Sequence, residues 1–289
     1  MNFASKEHTN NEYNKSINLA IDYIHSHLGE CINLKTVAGA AMISEFHFCR
    51  IFKAYIGEPI GEYITRLRME RIAHLLQISD TSLADIAEKT GYQTQQSLSK
   101  AFKKHFGITP SAFRHLNTYL TAKLPKPRHT TMQLNPQIVE LEPKHLLYLR
   151  IIAKYGTTPD YKRAWSQLIS YAHTKHLINE NSEYIGISFD DPNITEEKKC
   201  RFYACVSTDK KIKAEAAFGT FTIEEGKFAR FIHKGAYSGL NDLYQAIYAA
   251  WVPDNYDKIR NSNSFEKYLN SPDKVKEDDL LTEIYIPIE

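Results

Sequence analysis

Apolar residues in the first 115 positions return at helical spacing, whereas beyond about position 135 they alternate or run unbroken. Ile17, Leu19, Ala20, Ile24 and Leu28 mark one helix behind a polar entry. Residues 60–76, IGEYITRLRMERIAHLL, predict a longer one, with Pro59 at its start and a stripe through Tyr63, Leu67, Ile72 and Leu75. In the second half, HLLYLRII, EYIGISF, RFYACV, FARFI and LLTEIYIPI read as strands, and YKRAWSQLISYAH and LNDLYQAIYAAW as helices. The pattern therefore predicts a multidomain chain, an all-α domain followed by an α+β domain. The run TYLTAKLPKPRHTTMQLNP, residues 118–136, has three prolines and no sustained period, as a linker should. The boundaries follow as 1–118, a linker at 119–134, and 135–289.

Each half repeats itself. LKTVAGAAMISEFHFCRIFKAYIGEP (34–59) parallels LADIAEKTGYQTQQSLSKAFKKHFGITP (83–110). Leu34, Val37 and Ala38 match Leu83, Ile86 and Ala87; Phe48, Phe52, Ile56 and Gly57 match Leu98, Phe102, Phe106 and Gly107. More faintly, KYGTTPDYKRAWSQL echoes HKGAYSGLNDLYQAI, which predicts two pseudo-twofold β-α-β-β units.

Each N-terminal copy reads as helix, short turn, helix. In the second, Gly91 closes the first helix, Thr94 caps the next, and Leu98, Phe102 and Phe106 face inward at i, i+4, i+8. Gly107 ends that helix, and Thr109 and Pro110 begin another. In the first copy Ser44 takes the cap, with Phe48, Ile51 and Phe52 buried. These are the proportions of a helix-turn-helix, whose second helix enters the major groove. The outward face suits that task. Gln95 and Gln96 bridge the donor and acceptor of adenine, while Arg50 and Lys100 suit guanine or phosphate. Lys103, Lys104, Arg66, Arg68 and Arg71 are candidate phosphate partners.

Charge reinforces the division. Through Arg128 the chain carries 16 Lys and Arg against 11 Asp and Glu; the remainder carries 20 against 23. A basic first half and a mildly acidic second half point to a polyanion partner for the first alone. At 43% hydrophobic and 24% charged, with no apolar run long enough to span a bilayer, the chain reads as globular with no membrane partner. A polar N-terminus without a secretory core, and four cysteines without a CxxC pair, place it in the cytoplasm. No metal cluster, cofactor motif, GxSxG, HExxH or P-loop is present, so no catalytic residue is assigned and the chain is not read as an enzyme.

GYQTQQSLSKAFKKHFGITPSAFR resembles the signature of the AraC/XylS transcription regulators, in particular the MarA–SoxS–Rob branch, over residues 12–116. The resemblance implies a bacterial regulator that sets two recognition helices of one subunit into successive major-groove segments of double-stranded promoter DNA. It implies activation, with RNA polymerase as a partner. Carried over by position, the first reader uses Phe46, Cys49 and Arg50, and the second Gln95, Gln96, Ser99 and Lys100. The branch usually has Trp at Phe46, Gln at Cys49 and Arg at Lys100. Arg and Lys are not equivalent at a bidentate contact, so its target sequence is not carried over.

Residues 135–289 resemble the GyrI-like effector-binding domain through repeat layout, aromatic content and the ending LLTEIYIPI. The resemblance implies a small cationic or amphipathic effector, with Glu283 as the carboxylate of an aromatic-lined pocket. Carboxylate plus ring faces is a means of holding a lipophilic cation. Candidate walls are Trp165, Tyr203, Tyr237, Tyr248 and Trp251. Alternation puts Ile284, Ile286 and Ile288 on one face of the last strand, and Leu281, Glu283 and Tyr285 on the other. The alternatives for this domain are a protein-interaction module or a hydrolase.

Overall fold

A computed structural model describes residues 3–115 and 134–289, apart from 157, 158, 210, 256, 257 and 261. The predicted linker lies almost wholly outside the described residues. The chain divides into two compact units, one helical and one built on a sheet.

The helical unit contains α1 (Phe3–Ser26), α2 (Leu34–Ala40), α3 (Glu45–Ile56), α4 (Ile60–Ile78), α5 (Leu83–Lys89) and α6 (Gln95–Phe106). A further helical turn covers 110–115, and Thr109 Oγ1 caps it by accepting from the Ala112 amide. The side chains of Asn33, Ser82 and Thr94 likewise accept amide hydrogens three residues on, satisfying donors that a helix start leaves unpaired. Thr94 and Ser97 bond reciprocally as a capping box. Ser44, by contrast, stands at the N-cap of α3 without a side-chain bond, so the predicted cap there is positional only. Both α3 and α6 stop at a left-handed glycine, Gly57 and Gly107. Where Gly91 turns the second copy, the first has Met42, also left-handed at φ 60°.

Phe48, Phe52 and Tyr63 stack through ring contacts of 5.4 and 5.3 Å to centre the first copy's core. Leu98 and Phe102 anchor the second, with Phe106 half-buried against Phe102 and Phe113. Between the copies runs α4, whose Arg66 is buried. Its guanidinium bonds Glu58 at 2.6 Å and Glu70 at 3.0 Å.

The second unit is one antiparallel sheet in the order β1-β6-β8-β7-β3-β4-β2-β5. The strands are β1 (Gln137–Leu141), β2 (Lys144–Ile152), β3 (Tyr184–Ser188), β4 (Arg201–Thr208), β5 (Phe218–Ile223), β6 (Gly226–Lys234), β7 (Phe265–Tyr268) and β8 (Leu281–Ile288). Helix α7 (Pro159–Thr174) follows β2, and α8 (Leu240–Ala246) follows β6, running on as a π-helical turn through Ile247–Trp251. The two β-α-β-β units are thus β2-α7-β3-β4 and β6-α8-β7-β8. Each takes its outer strand from the other's lead-in: β5 pairs with β2, and β1 with β6.

Alternation sorts the side chains into two layers. Leu146, Tyr148, Ile185, Tyr203, Cys205, Phe228, Phe265 and Tyr285 share the helix-free face. Ala229, Phe231, Ile284, Ile286 and Ile288 pack beneath α8, as the last strand's alternation predicts. Leu168 of α7 is buried in the same manner over the other half. The centre of the helix face, over β3 and β7, is left to polar and aromatic groups.

Candidate functional site

In the helical unit, one turn of exposed polar side chains opens each second helix. The core residues fix α6 by one stripe, which holds Gln95, Gln96 and Lys100 outward, with Lys103 and Lys104 further along and Ser99 half-buried. On α3, Arg50 is exposed, Cys49 is half-buried, and Phe46 is 77% exposed with the Arg50 guanidinium 6.0 Å from its ring centre. Met42, 78% exposed, stands in the turn that leads into α3, four residues before Phe46. Two large apolar side chains offered to water side by side form a small apolar patch. Such groups suit thymine methyls in a groove.

Two of the predicted phosphate partners do other work. Arg66 is enclosed by Glu58 and Glu70, so its charge is spent inside the domain. Arg68 donates to the carbonyls of Leu28 and Glu30, pinning the α1–α2 loop. Its guanidinium lies 2.5 Å from where a Cβ at Gly91 would stand, and Gly91 is left-handed at φ 75°, a conformation that favours glycine. Burial lowers the pKa of both Arg68 and Arg71.

In the sheet unit the predicted ligand residues separate onto opposite faces. Glu283 and Tyr203 lie on the helix-free side. There Glu283 accepts from Tyr285 Oη at 2.6 Å and pairs with Arg230 at 3.0 Å. Tyr203 stacks on Tyr148 with centroids 4.0 Å apart and accepts a hydrogen bond from Arg150. Trp165, Tyr237, Tyr248 and Trp251 belong to the helix side. Trp251 packs edge-on against Phe231 in the core under α8. The six therefore form no single pocket: strand alternation turns Glu283 away from the helix-borne rings, and Arg230 already balances its charge.

The carboxylate among those rings is Glu266, which the sequence reading passed over. It is buried at the middle of the sheet, on β7, directly opposite Gly186 of β3. Tyr268 Oη donates to its Oε2 at 2.5 Å, and Tyr244 of α8 donates a second hydrogen bond. Trp165 meets Tyr268 edge-on at 5.7 Å, and Tyr237 does so at 5.4 Å from the other side. Tyr248, 40% exposed, stacks on Tyr244 and forms the rim. Among the described residues no Lys or Arg pairs with Glu266. Burial raises its pKa above the ordinary carboxylate value, and the two tyrosine bonds pull it partly back. Gly186 preserves the space: an added Cβ would lie 2.4 Å from Tyr268 Oη and 2.7 Å from the Phe202 ring. A buried carboxylate beside π faces, with no Lys or Arg paired to it among the described residues, has the chemistry that suits a lipophilic monocation.

Comparison with known proteins agrees with both halves. Residues 37–115 match a helix-turn-helix domain model, and residues 134–289 match the GyrI-like small molecule binding domain. The transcriptional regulator Rob of Salmonella typhimurium is 24% identical, over 92% of this chain and 95% of its own. The HTH-type transcriptional activator AarP of Providencia stuartii is 34% identical, over 39% of this chain and 84% of its own. Among solved structures, the EcmrR C-terminal domain is similar with a TM-score of 0.46 and 20% identity, covering 54% of this chain and 97% of that one.

Proposed function

We propose, from the premise that this chain belongs to the GyrI-like family, with an AraC-type helix-turn-helix domain ahead of the sensor, that it activates promoters in response to a small cationic or amphipathic effector. It works in the bacterial cytoplasm, with RNA polymerase as its protein partner. Two readers in one subunit, α3 and α6, contact successive major-groove segments through Phe46, Cys49, Arg50, Gln95, Gln96, Ser99 and Lys100. Lys103 and Lys104 contact phosphates. The kinship with a regulator described as an activator supports the sign of the response.

The observation that carries the sensor reading is Glu266: a buried carboxylate, held by two tyrosine hydroxyls and lying among Trp165, Tyr237 and Tyr248, with no Lys or Arg paired to it among the described residues. A ligand cation there supplies the missing countercharge. Binding acts by shifting an equilibrium rather than by turnover, through differential affinity for two states of the domain. Calorimetry with tetraphenylphosphonium on the full chain tests this. Wild type and Glu283→Gln are expected to bind alike, whereas Glu266→Gln loses at least about tenfold, the scale of one charge-assisted contact. Equal binding by Glu266→Gln and wild type refutes the assignment.

A further inference from the structure

Beside this site a buried tyrosine hydroxyl has no hydrogen-bond partner among the described residues. Tyr161 lies on the first turn of α7, one helical turn before Trp165, and its ring packs on Phe202 at 5.0 Å. Phe202 is one of the two rings that close over Gly186, the residue opposite Glu266. Tyr161 Oη is buried, yet it makes no hydrogen bond among the described residues. Tyr268 and Tyr244 are committed to Glu266, while Thr282 Oγ1 of β8, opposite Tyr268, is also buried without a partner among the described residues. Buried hydroxyls are ordinarily satisfied, and one left open beside a receptor carboxylate is the mark of a contact that the ligand completes.

Resting on the Glu266 reading, we propose that Tyr161 selects the ligand's headgroup, and that the site prefers a protonated amine to a quaternary ammonium. A primary or secondary ammonium carries several N–H donors. One is directed to Glu266, another to Tyr161 Oη, and its apolar body lies against Trp165 and Tyr237. A quaternary ammonium satisfies Glu266 by charge alone and leaves the hydroxyl unpaired. Tyr161 is thus a specificity-determining residue, acting on headgroup chemistry rather than on charge.

Calorimetry with 4-phenylbutylamine, protonated at neutral pH, and its N,N,N-trimethyl derivative tests the inference on the full chain. Wild type is expected to bind the primary amine about tenfold more tightly than the trimethyl compound. Tyr161→Phe removes one oxygen; it is expected to abolish that preference by weakening the amine alone. Thermal melting of the unliganded Tyr161→Phe chain is expected to show no loss of stability, because no bond is removed. Equal losses for both probes, no loss for either, absence of binding by wild type, or a clear drop in the unliganded melting temperature would each overturn the proposal. The Glu266 reading fails separately, if Glu266→Gln binds both probes as wild type does.

Discussion

Replacing Arg66 with Met separates a structural cation from a DNA-contacting one. The guanidinium has a side-chain exposure of 9% and bonds Glu58 and Glu70, whose side chains are exposed by 11% and 10%. It also lies 5.2 Å from the centre of the Tyr63 ring. Methionine keeps the apolar stem but leaves two buried carboxylates facing one another without a counterion. Breaking a buried pair by removing one partner costs about 3–5 kcal/mol. For a domain of this size each kcal/mol lowers the melting temperature by roughly 4–8 °C, so the helical unit should lose at least about 12 °C. Arg66 spends its charge internally, so the slope of log affinity against log salt, measured by fluorescence anisotropy at a temperature where both proteins are folded, should not change. Lys103→Ala is the control: exposed and outward, it should leave stability within about 0.5 kcal/mol and reduce the slope by about 1. If Arg66→Met melts like wild type and flattens the salt slope, the assignment of Arg66 to the interior is wrong.

The site makes further demands that melting and titration can check. Folding raises the Glu266 pKa, so the folded chain holds its proton more tightly than the unfolded chain. Its contribution therefore becomes less favourable as pH rises from the ordinary carboxylate range through the folded pKa. Glu266→Gln should flatten that part of the pH–stability curve in urea titrations and be the more stable protein at neutral pH. Gly186→Ala should cost about 1–3 kcal/mol and weaken tetraphenylphosphonium, because its Cβ must displace Tyr268 Oη or the Phe202 ring. Met42→Gly relieves a left-handed strain of about 1–2 kcal/mol against an entropic cost of about 0.5–1 kcal/mol, so the melting temperature should hold or rise.

The division into helices and sheet was legible because each long element carries enough residues to show its period. Strand β8 illustrates this: Ile284, Ile286 and Ile288 fall together beneath α8. The strands β1, β5 and β7 are about as short as the legible β3 but lack its apolar run: QIVEL and FEKY carry charges and FGTFTI a glycine and threonines. Glu266 lies in the shortest of them, FEKY, and its setting is made by Gly186 and Tyr244, residues 80 and 22 positions away. Glu283 was singled out through the resemblance of the ending LLTEIYIPI to the GyrI-like domain, but whether Arg230 would meet it depends on the β6–β8 register. Arg66 illustrates the same limit. Glu70 at i+4 was visible, while Glu58, which closes the cage, precedes the helix.

Both duplications keep their framework and diverge at their outward-facing or axial positions. In the helical unit, Phe48 and Leu98 fill matched core positions fifty residues apart, and Arg50 and Lys100 keep a basic group. Phe46, however, stands where the second copy has Gln96, so the outward faces of α3 and α6 carry different chemistry. In the sheet unit, the short helical turns Glu197–Lys199 and Glu277–Asp279, each leading into an equivalent strand, set the repeat at 80 residues. That spacing makes Gly186 the counterpart of Glu266, and the two are also direct partners across β3 and β7. The pair therefore lies on the pseudo-twofold axis itself. Strict symmetry there would give two facing carboxylates that repel or two glycines with no charge. One copy instead supplies a single buried carboxylate and the other a glycine over which Tyr268 and Phe202 close, so the axis carries one charge rather than two or none.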